Sequence, residues 1–360
     1  MTKKGKQKRR NYQKNQPNRT GIMIGLCLFA MICLAEAVLV SYHFVMKTQQ
    51  EASVQLSQYM AYQEARVVLK TEEETAGDVV SYAGDIKLRG DYEIRQPADS
   101  GQTRPPEVAS EKWVLVDLES NTAISQNEGN SRISPESMTK VLTILVAAEQ
   151  IQDLDKPFTM TEKILEYCRV KGLSLSGIKA GETVPVRDLF YAAALPSGAD
   201  AAMALAVCSA GSESSFVGLM NEKLESLGLD ETAHMSNSIG LAGKHHYCTL
   251  FDMAMILKAA VENDLAREVL STLEYTTTAT PQNPEGIPLT NWFLRKIGES
   301  GMTGGTVVAA KNGYGNRSGD CAASYYVSSE GKPCICVTVN ALNSWKCVND
   351  HRLLYTLCGA

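Results

Sequence analysis

The chain has 360 residues, enough for one large domain of about 250 residues with extensions, and a mildly acidic formal net charge of −5. The charge is uneven: Lys3, Lys4, Lys6, Lys8, Arg9, Arg10, Lys14 and Arg19 fall within residues 1–20, where there is no acid. The ten cysteines form no CxxC pair, and His245 and His246 are adjacent and so face apart on any regular element. A metal or other cofactor is therefore not expected.

The basic tail would suit nucleic acid, but the apolar run beyond it argues for a membrane instead. Residues 21–40 are apolar except for Glu36, and Phe44-Val45-Met46 lengthens the run. About 20 apolar residues suffice to span a bilayer, and the basic flank keeps its own end in the cytoplasm. Residues 1–20 thus read as a cytoplasmic tail and 21–46 as a transmembrane anchor. The remainder lies outside the cell, and no nucleic-acid partner is expected. Ala35-Glu36-Ala37 offers the competing reading, a signal peptide cleaved at an A-x-A site. Residues 47–110, polar at first and ending in Arg104-Pro105-Pro106, read as an extracytoplasmic linker.

From Lys112 the pattern is strand, strand, helix. Ser134-Pro135-Glu136 is a helix-start signature, with a cap-type serine, a proline and an early acid. Val141, Ile144, Leu145 and Ala148 recur at helical spacing behind it, so the helix is a buried one. At i and i+3, Ser137 and Lys140 become neighbours on one face. A serine alcohol needs a nearby base to become a nucleophile, and a lysine serves when burial and a second cation disfavour its charge.

A helical region then spans residues 154–270. Within it, Leu195-Pro196-Ser197-Gly198-Ala199-Asp200 forms a corner between two apolar helices, where a serine can face a cleft. Strands are expected at 306–311, 322–328 and 334–339, and a closing helix at 348–357. Lys311-Asn312-Gly313-Tyr314 comes at the end of the first of these strands, and its glycine allows close approach of a peptide backbone. The run from Gly313 to Gly319 is superficially like a phosphate-cradling loop, but its spacing is wrong and no βαβ unit surrounds it. Most of the eight cysteines from Cys168 to Cys358 are expected to be buried thiols, and Cys334 and Cys336, two apart on one strand, not to bond to each other.

In this order and spacing, Ser137-Met138-Thr139-Lys140, Ser197-Gly198-Ala199 and Lys311-Asn312-Gly313 resemble the SxxK, SxN and KTG set of penicillin-recognising serine acyl-transferases. The chain is most similar to the D-alanyl-D-alanine carboxypeptidases, the low-molecular-weight penicillin-binding proteins. The likeness covers residues 112–360 and includes Trp113 to Asp117, Val186-Arg187-Asp188-Leu189, Asn237-Ser238-Ile239-Gly240-Leu241 and Lys311 to Cys321.

The resemblance implies an α/β fold of the penicillin-binding transpeptidase/β-lactamase-like type: an antiparallel sheet flanked by helices, with an inserted all-helical lobe, over residues 111–360. It implies removal of the terminal D-alanine from peptidoglycan pentapeptides through an acyl-enzyme, with β-lactams as inhibitors. Ser137 would be the nucleophile, Lys140 its base and Ser197 the proton relay. Lys311 and Asn312 would bind the substrate carboxylate beside Gly313, and the N–H groups of Ser137 and Tyr314 would form the oxyanion hole.

Two residues depart from the pattern. The second motif's usual asparagine is Ala199, and the third motif's usual threonine is Asn312. Loss of one preorganised donor costs on the order of 10²–10³ in turnover. Ala199 therefore keeps a second reading open, a slow or inactive envelope module that binds wall peptides or β-lactams. A β-lactamase would need a carboxylate for deacylation, for which Glu162 and Glu166 lie in the right stretch.

Overall fold

The computed structural model describes Tyr92 and residues 108–358, which fall within one compact unit. The tail and anchor expected at 1–46, and nearly all of the linker expected at 47–110, lie outside these residues. Among the described residues no single helix is long and apolar enough to cross a membrane.

The two ends of the domain meet in one sheet. β1 (Lys112–Asp117) and β2 (Thr122–Asn127) form the opening hairpin; β9 (Gly305–Gly315), β10 (Gly319–Ser328) and β11 (Pro333–Ala341) close the chain. The order is β2-β1-β11-β10-β9 with every pairing antiparallel, so β1 and β11 are neighbours and β9 is an edge. Trp113, Val114, Leu115 and Val116 are all buried, because both faces of the sheet are covered. On one face Val114, Val116, Ala323, Ile335 and Val337 join the helical core. On the other, Trp113, Leu115, Ala322 and Cys336 pack with residues of α8 (Trp292–Glu299) and α9 (Ser344–Tyr355).

The inserted segment leaves the sheet after β2 and returns at β9. It opens with a two-residue strand, β3 (Arg132–Ile133), then a single 3-10 turn, Glu136–Met138, and then α1 (Thr139–Gln150). Thr139 through Ala147 are all buried, which makes α1 the central helix the apolar spacing called for. α6 (Leu250–Glu262) is buried from Leu250 to Val261 and starts with a capping box, in which Thr249 Oγ1 accepts from Asp252 N and Asp252 Oδ2 accepts from Thr249 N. Around them lie α2 (Glu162–Val170), α3 (Val186–Ala194), α4 (Ala199–Ala210), α5 (Glu213–Ser226) and α7 (Asp264–Ser271).

The lobe departs from the all-helical expectation. β4 (Pro157–Thr159) pairs with β5 (Thr183–Pro185), and β6 (Cys248–Thr249) pairs with β3. A further ribbon, β7 (Glu274–Thr276) with β8 (Pro288–Thr290), precedes α8. These ribbons are two or three residues long, too short for alternation to be read from sequence. The closing strands are longer than expected, since β9 continues through the glycines to Gly315. Cys334 and Cys358 form a disulfide, a pairing that the cysteine spacing did not single out; Cys168, Cys248, Cys321, Cys336 and Cys347 are buried free thiols.

Candidate active site

The strap from β3 into α1 makes the first part of the site. Glu136 adopts a left-handed φ of +48°, which turns the chain sharply into the 3-10 helix and sets half-buried Ser137 one residue later. Lys140, one turn on, is 1% exposed. Its Nζ lies 3.0 Å from Ser137 Oγ and donates to the Ile239 carbonyl at 2.8 Å. Burial lowers the Lys140 pKa to about 8, although Cys168 and Asp200 pull the other way. A lysine so placed has an appreciable neutral fraction near neutral pH and can take the serine proton.

The Ile239 carbonyl is aimed by a side-chain nest. Asn237 Oδ1 accepts from the N–H groups of Ile239, Gly240 and Leu241 at 3.2, 2.8 and 2.8 Å, and its Nδ2 donates to Leu241 O at 2.8 Å. Gly240 has φ +84°, and a β-carbon there would lie 1.9 Å from the Glu136 carbonyl oxygen. Only glycine lets this loop lie against the Ser137 turn. His246 ties the two together: Ser236 N donates to its Nδ1 at 3.1 Å, so the proton sits on Nε2, which meets Thr139 Oγ1 at 2.8 Å. Burial first, with His234 adding to it, depresses the His246 pKa to about 4, so the ring is neutral. It is a structural strut, a role that nothing in the sequence had pointed to.

The third motif lies on edge strand β9. Lys311 pairs with Ala323 and Gly313 with Cys321, both on the face of the helical core. Lys311 is 1% exposed, and its Nζ donates to the Asn312 carbonyl at 2.8 Å. Burial, and then the charge of Lys140, push its pKa well below the usual lysine value. The charge of Lys140 thus adds to burial in disfavouring that of Lys311. A β-carbon on Gly313 would lie 3.1 Å from Ser137 N, so glycine brings β9 against the Ser137 N–H. Tyr314 comes next, with its side chain 69% exposed.

Asn312 points elsewhere. It pairs with Ala322 on the α8/α9 face and lines a small cavity with Trp292, Lys296 and Asp320. Its side chain is therefore not grouped with Lys311; only its carbonyl is. The strand period of two places 311 and 313 on one face and 312 on the other.

The second motif is the least connected. Ser197 has φ +63°, and its Oγ is enclosed without a hydrogen-bond partner. Gly198 N donates to Ala192 O at 2.9 Å and Ala199 N to Ser174 O at 2.8 Å, so backbone bonds fix the corner. Ala199 is buried and supplies no amide to Lys140. Asp200 does not replace it, because its carboxylate accepts from Ser176 N at 2.9 Å and Ser176 Oγ at 2.6 Å. Glu162 and Glu166 are exposed and engaged by Arg169, which leaves the β-lactamase reading without a deacylating carboxylate from this pair.

The family model for D-alanyl-D-alanine carboxypeptidase, peptidase S11, matches residues 99–343. The chain is 32% identical over 164 residues to D-alanyl-D-alanine carboxypeptidase DacF of Bacillus subtilis, covering 45% of this chain and 41% of that protein. It is 32% identical to DacA of Escherichia coli K12, over 44% of this chain and 40% of that one. These matches thus span about two-fifths of the relatives' own length. Streptomyces K15 DD-transpeptidase shares the fold with a TM-score of 0.64 at 24% identity, covering 71% of this chain and 98% of that chain. D-alanyl-D-alanine carboxypeptidase from Mycobacterium tuberculosis H37Rv does so with a TM-score of 0.62 at 22% identity, covering 73% and 95%. With a family match reaching from ahead of β1 to the start of α9, this chain belongs to the D-alanyl-D-alanine carboxypeptidase (peptidase S11) family.

Proposed function

We propose that the protein is a membrane-anchored serine carboxypeptidase that removes the terminal D-alanine from peptidoglycan stem peptides and is acylated by β-lactams. The observation that carries this reading is Lys140 Nζ at 3.0 Å from Ser137 Oγ, buried, with a pKa lowered by burial to about 8. The family relationship supplies the substrate class. Anchoring rests on the basic tail and the apolar run at residues 21–46.

In the proposed reaction neutral Lys140 accepts the Ser137 proton as Oγ adds to the penultimate D-alanine carbonyl. The N–H groups of Ser137 and Tyr314 hold the oxyanion, whose approach Gly313 permits. Collapse breaks the C–N bond, and the leaving amine takes a proton from Lys140 by way of the Ser197 hydroxyl. Lys311 pairs with the substrate carboxylate, whose charge offsets the burial that otherwise disfavours its protonated form. Water then adds to the ester as Lys140 takes its proton, and Lys140 returns that proton to Ser137 Oγ as the acyl C–O bond breaks.

A second reading has its own observation. The unpartnered Ser197 Oγ and the missing amide at Ala199 suit a module that captures wall peptides or β-lactams with little turnover. Release of D-alanine from a synthetic pentapeptide separates the two. We expect catalytic release that is blocked by penicillin; no release after prolonged incubation with a labelled, folded protein would leave the binding module standing.

A further inference from the structure

A cavity of about 510 Å³ opens beside the catalytic turn. It is lined by Arg132 and Ser134 of the strap, Lys244 of the loop before β6, and Arg317 and Ser318 of the β9–β10 turn. Its charge is one-sided. Arg132, Lys244 and Arg317 are exposed and make no ion pair with any described residue, whereas Lys112, also on its wall, is paired with Glu128 at 2.5 Å. The single acid on the wall is Glu111, whose Oε2 accepts from Asn340 Nδ2 at 2.6 Å. His246 adds no charge, since burial keeps it neutral.

One of these cations is held in place, and the turn that carries a second is anchored. The Arg132 guanidinium stacks on the Tyr247 ring at 3.7 Å, which fixes its plane and leaves its N–H edge for a ligand. Ser318 Oγ donates to the Ser134 carbonyl at 2.6 Å, which anchors the turn carrying Arg317 to the strap. Ser134 Oγ is enclosed beside the Glu136 carboxyl, whose pKa burial raises while that hydroxyl and the charge of Arg317 pull it back. A guanidinium fork of fixed plane beside two further cations matches tetrahedral phosphate oxygens. The volume exceeds that of one phosphate, so the polyol carrying the phosphate fits as well.

We propose that this cavity binds a phosphodiester-bearing ligand of the glycerol-phosphate type, using Arg132, Lys244 and Arg317. That chemistry can come from a soluble poly(glycerol phosphate) or from a phosphatidylglycerol headgroup.

The test uses the full-length chain and an Arg132→Gln/Lys244→Gln double variant, with Arg317→Gln as an independent second variant. Labelling by fluorescent penicillin reports that each variant is folded. Binding of a short glycerol-phosphate oligomer, and co-sedimentation with vesicles of phosphatidylcholine with and without phosphatidylglycerol, are measured at low and physiological salt. The basic tail at residues 1–20 attracts anions by itself, so the difference between wild type and variants is the reading. We expect saturable oligomer binding, or binding specific to the phosphatidylglycerol vesicles, that falls at least about tenfold in both variants. Loss with the oligomer identifies a soluble polymer, and loss with vesicles alone identifies a headgroup. Binding that is absent, or equal in wild type and variants, would overturn the proposal whether or not the protein is a carboxypeptidase.

Discussion

The loop that holds Lys140 and the corner that carries the second motif are built to different standards. On the loop side, Asn237 gathers three backbone N–H groups and presents the Ile239 carbonyl to Lys140, while His246 and Gly240 lock that loop to the catalytic turn. On the other side, the Ser197 corner is fixed by its backbone, yet its hydroxyl meets nothing and Ala199 offers no polar group. The contrast separates two jobs that one amide would have combined. Placement of the lysine is secured by a carbonyl, whereas contact with the substrate carbonyl is left to the strand. The protein should therefore acylate with a well-placed base and a weakened substrate clamp.

Removing the nucleophile tests both at once. Ser137→Ala should abolish labelling by a fluorescent penicillin; labelling that persists undiminished would remove Ser137 from the reaction.

The base comes next. Lys140→Met should slow acylation by about 10²–10⁴-fold, the usual range for a positioned acid–base group. In the wild type, acylation should rise with pH through about 8 as Lys140 loses its proton. The same shift has a stability consequence. The folded pKa of about 8 lies below the ordinary 10.5, so below pH 8 the charge is present in both states and its full burial cost falls on the fold. Between 8 and 10.5 the unfolded chain binds more protons, and the wild type gains stability with rising pH. Lys140→Met should be the more stable protein at pH 7, by on the order of 3 kcal/mol, and lose that lead by pH 10.5. A constant difference in Tm across that range would show that Lys140 titrates normally.

The loop is probed by Gly240→Ala. The left-handed φ and the 1.9 Å clash with the Glu136 carbonyl should displace Ser137 and Lys140 together. A misplacement near 1 Å costs about 10²-fold, measurable as the second-order acylation constant; wild-type kinetics would mean that the loop does not align the pair.

The smallest change should come at the corner. Ala199→Asn should raise the acylation or deacylation rate by about tenfold, less than the 10²–10³ assigned to one oxyanion donor because Lys140 is already held. Unchanged single-turnover rates would show that the missing amide is compensated in full.

Much of this was legible in the sequence. The buried periodicity after Lys140 foretold α1, and the strand patterns at both ends of the domain foretold the two-ended sheet. Ser134, by contrast, caps no helix: the chain enters through Pro135 and a 3-10 turn without a side-chain cap. Strand alternation along 311–313 also puts Asn312 on the face away from Lys311, a consequence that the motif's signature, taken as a unit, hides. Elsewhere the signal was absent. A backbone carbonyl such as that of Ile239 has no side chain to announce it, and Ser197 gives no hint of a left-handed backbone. Glycine and asparagine weaken strand propensity, yet pairing with β10 carries β9 through Gly313 to Gly315. The bond between Cys334 and Cys358 depends on α9 folding back over β11, a tertiary fact that cysteine spacing does not encode.

The most direct measurement of the central claim is peptide mapping by mass spectrometry after brief treatment of the full-length protein with penicillin. A buried lysine in contact with a single serine predicts one penicilloyl adduct, on the peptide containing Ser137 and at its hydroxyl. An adduct on Ser197 or any other residue, or none under conditions where the protein releases D-alanine, would contradict the account.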